Sequence, residues 1–330
     1  MFTHKDIECR TIFVINCLTE RNLKVSNGEL VLIDTDEDAK KTVLTKIPFQ
    51  KILALFITGP ISITTPLLDK CKYYNVAIVV TKFNLRPVFY WANGAEGNFL
   101  LRRRQYALDK DDISVAKKIV ENKLLNQYSL LKNTRERNKV VMEAREQIEA
   151  LLSKIQDVAN YNVLLSLEGN AAKLFFGAYY MKYGWQGRKP RAKTDFINTT
   201  LDIGYTVLFN FVECFVRMFG FDVYIGVYHR LWFKRKSLIC DLMEPFRCII
   251  EHTVRDALSI GDIKDTDFDV YNGEHRLQRD KCAAYYRMFY DALIQHKSDV
   301  FMYVREYYRS FMSATQKREY PKFLILKICW

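Results

Sequence analysis

The sequence predicts an α+β protein in which a small N-terminal β-rich domain precedes a larger all-α domain. Three observations carry this. Short runs rich in β-branched residues, separated by turn signals, fill roughly the first ninety residues. From Leu100 onward, apolar residues recur instead at three- and four-residue spacing. The period changes once, beside a stretch at 84–97 whose Pro87, Asn93, Gly94 and Gly97 read as a linker.

Strands are predicted at 11–15, 43–47, 52–58 and 76–81, where Val, Ile and Thr cluster. Residues 23–33 read as a hairpin, because Asn27-Gly28 supplies the two left-handed residues of a tight turn. One short helix is expected at 66–74. Beyond the linker, helices are expected at 112–132, 136–160, 161–183, 195–219, 241–258, 275–296 and 299–312. The chain is therefore divided into a β-rich domain at 1–87, a linker at 88–105 and a helical domain at 106–330.

An apolar content of 49% and an aromatic content of 14% exclude a disordered chain. The net charge of +12 points to acidic partners, and nucleic acid fits better than a membrane because no basic amphipathic tail stands out. Charge does not separate the two parts: residues 1–87 hold 12 Lys+Arg against 9 Asp+Glu, so local clusters carry the argument. The eight cysteines form no Cys-x-x-Cys pair, which leaves buried reduced thiols as the expectation and removes a zinc ribbon. Lys5, Asp6 and Glu8 replace the apolar run of a signal peptide, and the stretch 47–64 is broken by Lys51 and Gly59-Pro60, too interrupted to span a bilayer. A soluble protein in a reducing compartment is expected.

His229, Asp241 and Glu244 lie within sixteen residues, a set able to hold a divalent metal, beside Lys234, Arg235, Lys236 and Arg247. A second reading of Asp241-x-x-Glu244 is a capping box, supported by Pro245 in a first turn. Glu168 is anomalous in a different way. Its helical neighbours are Ala171, Ala172 and Phe175, so its carboxylate is desolvated and needs a cation, either a metal or a Lys or Arg from another helix. Basic clusters at Arg102-Arg103-Arg104 and at Arg188, Lys189, Arg191 and Lys193 are candidates for phosphate contact or mere solvated loops.

Four ordered segments together resemble the CRISPR-associated integrase family Cas1. They are Leu101-Arg-Arg-Arg-Gln105-Tyr-Ala, Leu164-Leu-x-x-Glu168-Gly-x-Ala-Ala, Arg188-x-Pro-Arg191 leading to Asp195-Phe-Ile-Asn198-x-x-Leu-x-x-Gly204-Tyr, and His229 through Ser237-Leu-x-x-Asp241-Leu-Met-Glu244-Pro-Phe-Arg247. The resemblance implies that the helical domain is catalytic, with Glu168, His229 and Glu244 as metal ligands and Asp241 as an accessory carboxylate. Two carboxylates and one imidazole form a mostly hard donor set suited to Mg²⁺ or Mn²⁺. Arg188, Lys189, Arg191, Arg235, Lys236 and Arg247 are the candidate DNA contacts. The implied activity is strand transfer by a DNA 3′-hydroxyl into a repeat, adding spacers to a CRISPR array, with associated endonuclease activity. The implied partners are double-stranded DNA (prespacer and leader-repeat), a second copy joined through the β domain, and the small protein Cas2. The implied setting is the prokaryotic cytoplasm. Two rivals use other chemistry: a stand-alone metal-dependent nuclease on branched DNA or RNA, and a non-catalytic nucleic-acid-binding module whose carboxylates only cap helices.

Overall fold

The computed structural model describes residues 2–35, 41–92, 97–109, 111–136, 138–313 and 319–325. The order is as expected, a β-sheet part followed by a mostly helical part. A short helix α1 (His4–Cys9) comes first; its capping box, with Asp6 N–H donating to Thr3 Oγ1 at 3.2 Å and Thr3 N–H to Asp6 Oδ2 at 2.8 Å, was there to be read in the sequence. Then follow β1 (Thr11–Asn16), β2 (Arg21–Ser26), β3 (Glu29–Thr35), β4 (Lys41–Pro48), β5 (Ile52–Thr58), β6 (Ile61–Ile63), α2 (Thr65–Tyr74), β7 (Ala77–Thr81) and β8 (Pro87–Trp91). These make two four-stranded sheets, ordered β1-β5-β7-β8 and β4-β3-β2-β6. The β2–β3 turn places Asn27 at φ 51° and Gly28 at φ 79°, as the hairpin required.

Leu23, Leu30, Leu32 and Ile47 of one sheet pack on Ile15, Leu55, Ile57 and Ile78 of the other, with Leu67 and Cys71 of α2. Leu53, Ala54 and Phe56 of β5 belong instead to the helical core, so β5 is buried on both faces. The linker reading at 88–105 is corrected in part. Pro87–Trp91 pairs with β7, because Val88-Phe-Tyr-Trp91 is a strong strand-forming run that its flanking Pro and Asn residues mask. A helix, α3 (Phe99–Tyr106), follows; residues 93–96 of the linker lie outside the described residues.

The helical part holds α4 (Ser114–Asn133), α5 (Lys139–Lys154), α6 (Tyr161–Tyr179), α7 (Phe196–Met218), α8 (Ser237–Met243) and α9 (Arg247–Ile260). After them come β9 (Phe268–Tyr271), β10 (Glu274–Leu277), α10 (Cys282–Gln295) and α11 (Lys297–Met312). The helix expected from 275 thus begins at Cys282. Asn272-Gly273, at φ 51° and 76°, turns a second hairpin of the kind correctly read at Asn27-Gly28, so this part is not purely helical. The described cysteines are free, and no described helix is long and apolar enough to cross a membrane.

Candidate active site

Glu168 sits halfway along α6, whose start is fixed by Asn160, its side chain accepting from Val163 N–H at 3.2 Å. The cation it needs comes from α4. Lys123 lies among the buried residues Ile119, Val120 and Leu124, and its ammonium contacts Glu168 Oε1 and lies 2.8 Å from Glu244 Oε2. Two carboxylates far apart in the chain therefore share one positive charge. Arg247 Nε also lies 2.9 Å from Glu244 Oε2, yet neither atom completes a hydrogen bond of good angle. Glu244 is 2% exposed, so this carboxylate oxygen is buried with incomplete hydrogen bonding.

Burial works to raise the Glu168 carboxyl. The charge and hydrogen bond of Lys123, the Tyr228 hydroxyl and Arg247 outweigh it and hold the group at about 2. Burial likewise opposes the charge on Lys123, and the two glutamates more than compensate, raising it above its ordinary value. Glu251, one helical turn beyond Arg247 on α9, has no cation in contact among the described residues. Burial pushes its carboxyl up to about 7 against the lowering effect of the Tyr205 hydroxyl, which donates to Oε1 at 2.9 Å.

His229 is positioned by Asp241. That carboxylate is fully buried and accepts from the N–H groups of Val227 (2.6 Å), Tyr228 (3.1 Å) and His229 (2.8 Å), and it meets His229 Nδ1 at 2.7 Å. With Asp241 acting as acceptor throughout, Nδ1 is the ring nitrogen that faces the carboxylate as donor, and Nε2 is the one left for another partner. Gly226 permits the approach, since a Cβ there would meet Asp241 Oδ2 at 2.5 Å and Ser237 Cβ at 2.9 Å. Tyr228 links the halves by donating its hydroxyl to Glu168 Oε2.

The capping-box reading is corrected. Asp241 lies inside α8, which starts at Ser237 because Leu238, Ile239 and Leu242 already give it a buried face. Pro245, without an N–H, ends that helix in a single 3-10 turn at Glu244–Phe246. Asp241 and Glu244 consequently face different partners, the 227–229 turn and Lys123 with Arg247.

The structure brings Glu168 and Glu244 onto one cation and joins the His229 turn to them through Tyr228. Among the described residues it gathers no three His, Cys, Asp or Glu side chains into a ready metal-binding group, because Lys123 holds the shared point. The donor set still fits a hard divalent ion: two carboxylates already converging on positive charge, one of them short of hydrogen bonds, and an imidazole oriented by a carboxylate.

The six candidate DNA contacts separate into two groups. Lys189 and Arg191 are exposed and Arg235 is half-buried. Arg188, Lys236 and Arg247 are instead committed inside the protein. Arg188 pairs with Asp202 and donates to Asn198 Oδ1 at 3.0 Å, Lys236 lies 2.7 Å from buried Glu213, and Arg247 pairs with Glu244. Both Arg188 and Arg247 lie against the Tyr205 ring, at 5.4 and 4.6 Å. Sequence reasoning missed Lys123, whose signal was a charge inside the apolar stripe of α4, as with Glu168. It missed Tyr228 and Glu251 as well, and nothing local marked either.

Residues 17–291 match a family model described as CRISPR associated protein Cas1. The CRISPR-associated endonuclease Cas1 1 of Pyrobaculum aerophilum is 31% identical over 234 residues, 68% of this chain and 75% of that protein. Among solved structures, a casposase bound to integration product superposes with a TM-score of 0.73 at 20% identity, covering 97% of this chain and 96% of that one. A Cas6-RT-Cas1–Cas2 complex superposes with a TM-score of 0.74 at 18% identity, covering 96% of this chain and 36% of the longer one.

Proposed function

Since the chain belongs to the CRISPR associated protein Cas1 family, whose model spans residues 17–291, we propose that it is a CRISPR adaptation integrase. In this reading it joins the 3′-hydroxyl of short DNA fragments to a phosphodiester of the leader-repeat, adding spacers, and carries an associated DNA endonuclease activity. The observation that supports this most is the convergence of Glu168 and Glu244 on one cation beside an imidazole held by Asp241.

Glu168, Glu244 and His229 Nε2 would hold Mg²⁺ or Mn²⁺, with Asp241 acting through His229. The bound cation would supply Lewis-acid stabilisation of the charge that develops on the scissile phosphate and the departing 3′ oxygen. The chain's own groups do the positioning. Asp241 fixes the imidazole, Tyr228 fixes the second oxygen of Glu168, and Arg247 pairs its charge with Glu244. Exposed Lys189, Arg191 and Arg230, with Arg235, offer the phosphodiester contacts that place DNA over the site.

A homodimer through the β-rich part is supported by β4, an edge strand with Val43 48% and Leu44 45% exposed. Cas2 is the proposed partner in a higher-order complex, because a Cas1–Cas2 assembly shares this fold. The proposed setting is the prokaryotic cytoplasm.

The test is an integration assay with end-labelled duplex and supercoiled plasmid carrying a leader-repeat, in Mn²⁺. Glu168→Gln and Glu244→Gln should each abolish both joined and hydrolysed products. Full strand transfer by either variant overturns the ligand assignment. Hydrolysis without joining by the wild-type protein favours the stand-alone nuclease.

A further inference from the structure

Asn122 and Asn126 stand one turn apart on α4, 0% and 1% exposed, and both reach the segment 319–325 on the far side of α11 in the chain. An amide buried this completely costs stability unless its donors and its acceptor find partners. Asn122 finds them on one residue, donating to Phe323 O at 2.5 Å and accepting from Phe323 N–H at 2.8 Å. Asn126 accepts from Ile325 N–H at 3.0 Å and donates at 2.9 Å to two carbonyls, Phe323 O and Pro245 O. The segment thus takes its main-chain hydrogen bonds from a helix face. Its side chains follow the same helix, for the Lys118 ammonium lies 5.2 Å from the centre of the Tyr320 ring and Lys322 Nζ donates to Glu121 at 2.9 Å.

The bond to Pro245 O is the one that leaves the segment. Pro245 follows Glu244 in the 3-10 turn Glu244–Phe246, so Asn126 ties the segment to the turn that carries a proposed metal ligand. A second contact acts on the same turn. The Phe323 ring lies 4.6 Å from that of Phe246, the residue that completes it. Single 3-10 turns have poor internal hydrogen-bond geometry, and Pro245 has no N–H, so what the turn packs against sets its direction. Lys123, three positions before Asn126 on α4, meets Glu244 Oε2 at 2.8 Å. One helix therefore holds the backbone of the turn through an amide and faces its carboxylate with a charge.

We propose that Asn126 and the segment 319–325 it holds are positioning elements for Glu244: by gripping Pro245 O and seating Phe323 on Phe246, they keep that carboxylate in the orientation in which it converges with Glu168. The inference rests on the metal-ligand assignment above and adds the element that aims one of the ligands.

Calorimetric Mn²⁺ titration of the full chain reads the effect without catalysis. Asn126→Ala and Phe323→Ala should each raise the Mn²⁺ dissociation constant by about 10-fold or more, the scale on which partners of metal ligands act, while Lys322→Ala, on the same segment but bonded away from the turn, stays within about twofold. A lowered unfolding temperature with Mn²⁺ affinity like that of the wild type would make the segment a brace for the core alone and overturn the proposal. A second measurement needs no substitution and decides the matter if an alanine variant does not fold. Coupling is reciprocal, so an ion held at Glu244 must tighten the segment by the factor with which the segment tightens the ion. Saturating Mn²⁺ should therefore slow hydrogen exchange at the Phe323 and Ile325 amides of the wild type by about 10-fold. Equal exchange with and without the ion overturns the proposal and leaves the ligand assignment intact. Absence of Mn²⁺ binding by the wild type overturns the ligand assignment, and this inference with it.

Discussion

Replacing Lys123 with Met keeps all but the last heavy atom of the side chain's length on α4 and removes the charge shared by Glu168 and Glu244. At neutral pH and without metal, two buried carboxylates then face each other with Arg247 as the remaining nearby cation. The magnitude follows from Glu168. Its carboxyl is held at about 2 against an ordinary 4.5, which at about 1.4 kcal/mol per pH unit corresponds to about 3 kcal/mol of stability. Lys123 supplies the largest of the lowering effects, and breaking a buried pair from one side typically costs about 3–5 kcal/mol. A depressed acid contributes stability above its unfolded value and loses it as pH falls. The penalty should therefore be full at pH 7 and shrink below about pH 4.5. Urea unfolding in EDTA at both pH values measures it. Mn²⁺ should recover the lost stability, and calorimetry should find tighter Mn²⁺ binding than in the wild type, since no ammonium competes for the oxygens. A variant within 1 kcal/mol of wild type at pH 7 in EDTA would refute the view of Lys123 as the site's resident counterion.

Glu251→Gln should act with the opposite pH dependence. The raised carboxyl contributes stability that is complete below 4.5 and lost as pH rises through about 7, so the Gln variant should gain about 3 kcal/mol on the wild type between pH 4.5 and pH 8 in urea titrations. Asp241→Ala frees the imidazole and strands three backbone N–H groups. Strand transfer should drop by about 10- to 100-fold, with an accompanying fall in thermal stability, while Asp241→Asn keeps an acceptor for part of that set and should lose less of both. Near-normal joining by the alanine variant would show that His229 needs no such anchor.

How much of this was legible in the sequence depended on whether the signal was local. Asn27-Gly28 and Asn272-Gly273 are equivalent hairpin turns, yet only the first stood between obvious strand runs. The second was absorbed into a helical pattern because Tyr285, Phe289 and Tyr290 of α10 lie just beyond it. Glu168 was visible as a charge on an apolar helix face. Its partner was not, because Lys123 reaches it only through the packing of α4 against α6, forty-five positions apart. The spacing of Asp241 and Glu244 suits a helix cap as well as a site, and the start of α8 at Ser237 is what decides between them. Arg188, Lys236 and Arg247 resembled free phosphate ligands for the same reason. Their carboxylates, on Asp202, Glu213 and Glu244, lie beside them in space and were not matched to them in the sequence.

Under the proposed metal assignment, the charges around Lys123 would tie metal loading to a proton. Glu168, Glu244 and Glu251 face Lys123 and Arg247, three acids against two cations, and Glu251 is the acid with no ion pair among the described residues and is held at about 7. Lys123 already lowers the Glu251 carboxyl across space. A divalent ion taking the place of that ammonium doubles the charge acting on Glu251, favours its ionised form and so expels its proton near neutral pH. Calorimetric Mn²⁺ titrations at pH 7 in phosphate and in Tris, whose ionisation enthalpies differ, count the protons released. The wild type should release up to about half a proton more than Glu251→Gln, in which the amide oxygen still accepts from Tyr205 but nothing titrates. Any proton lost from His229 is common to both proteins and cancels in the comparison. Identical buffer dependence in the two would mean that Glu251 does not sense the cation at the shared point, and with it the electrostatic link between α9 and the proposed metal site would fail.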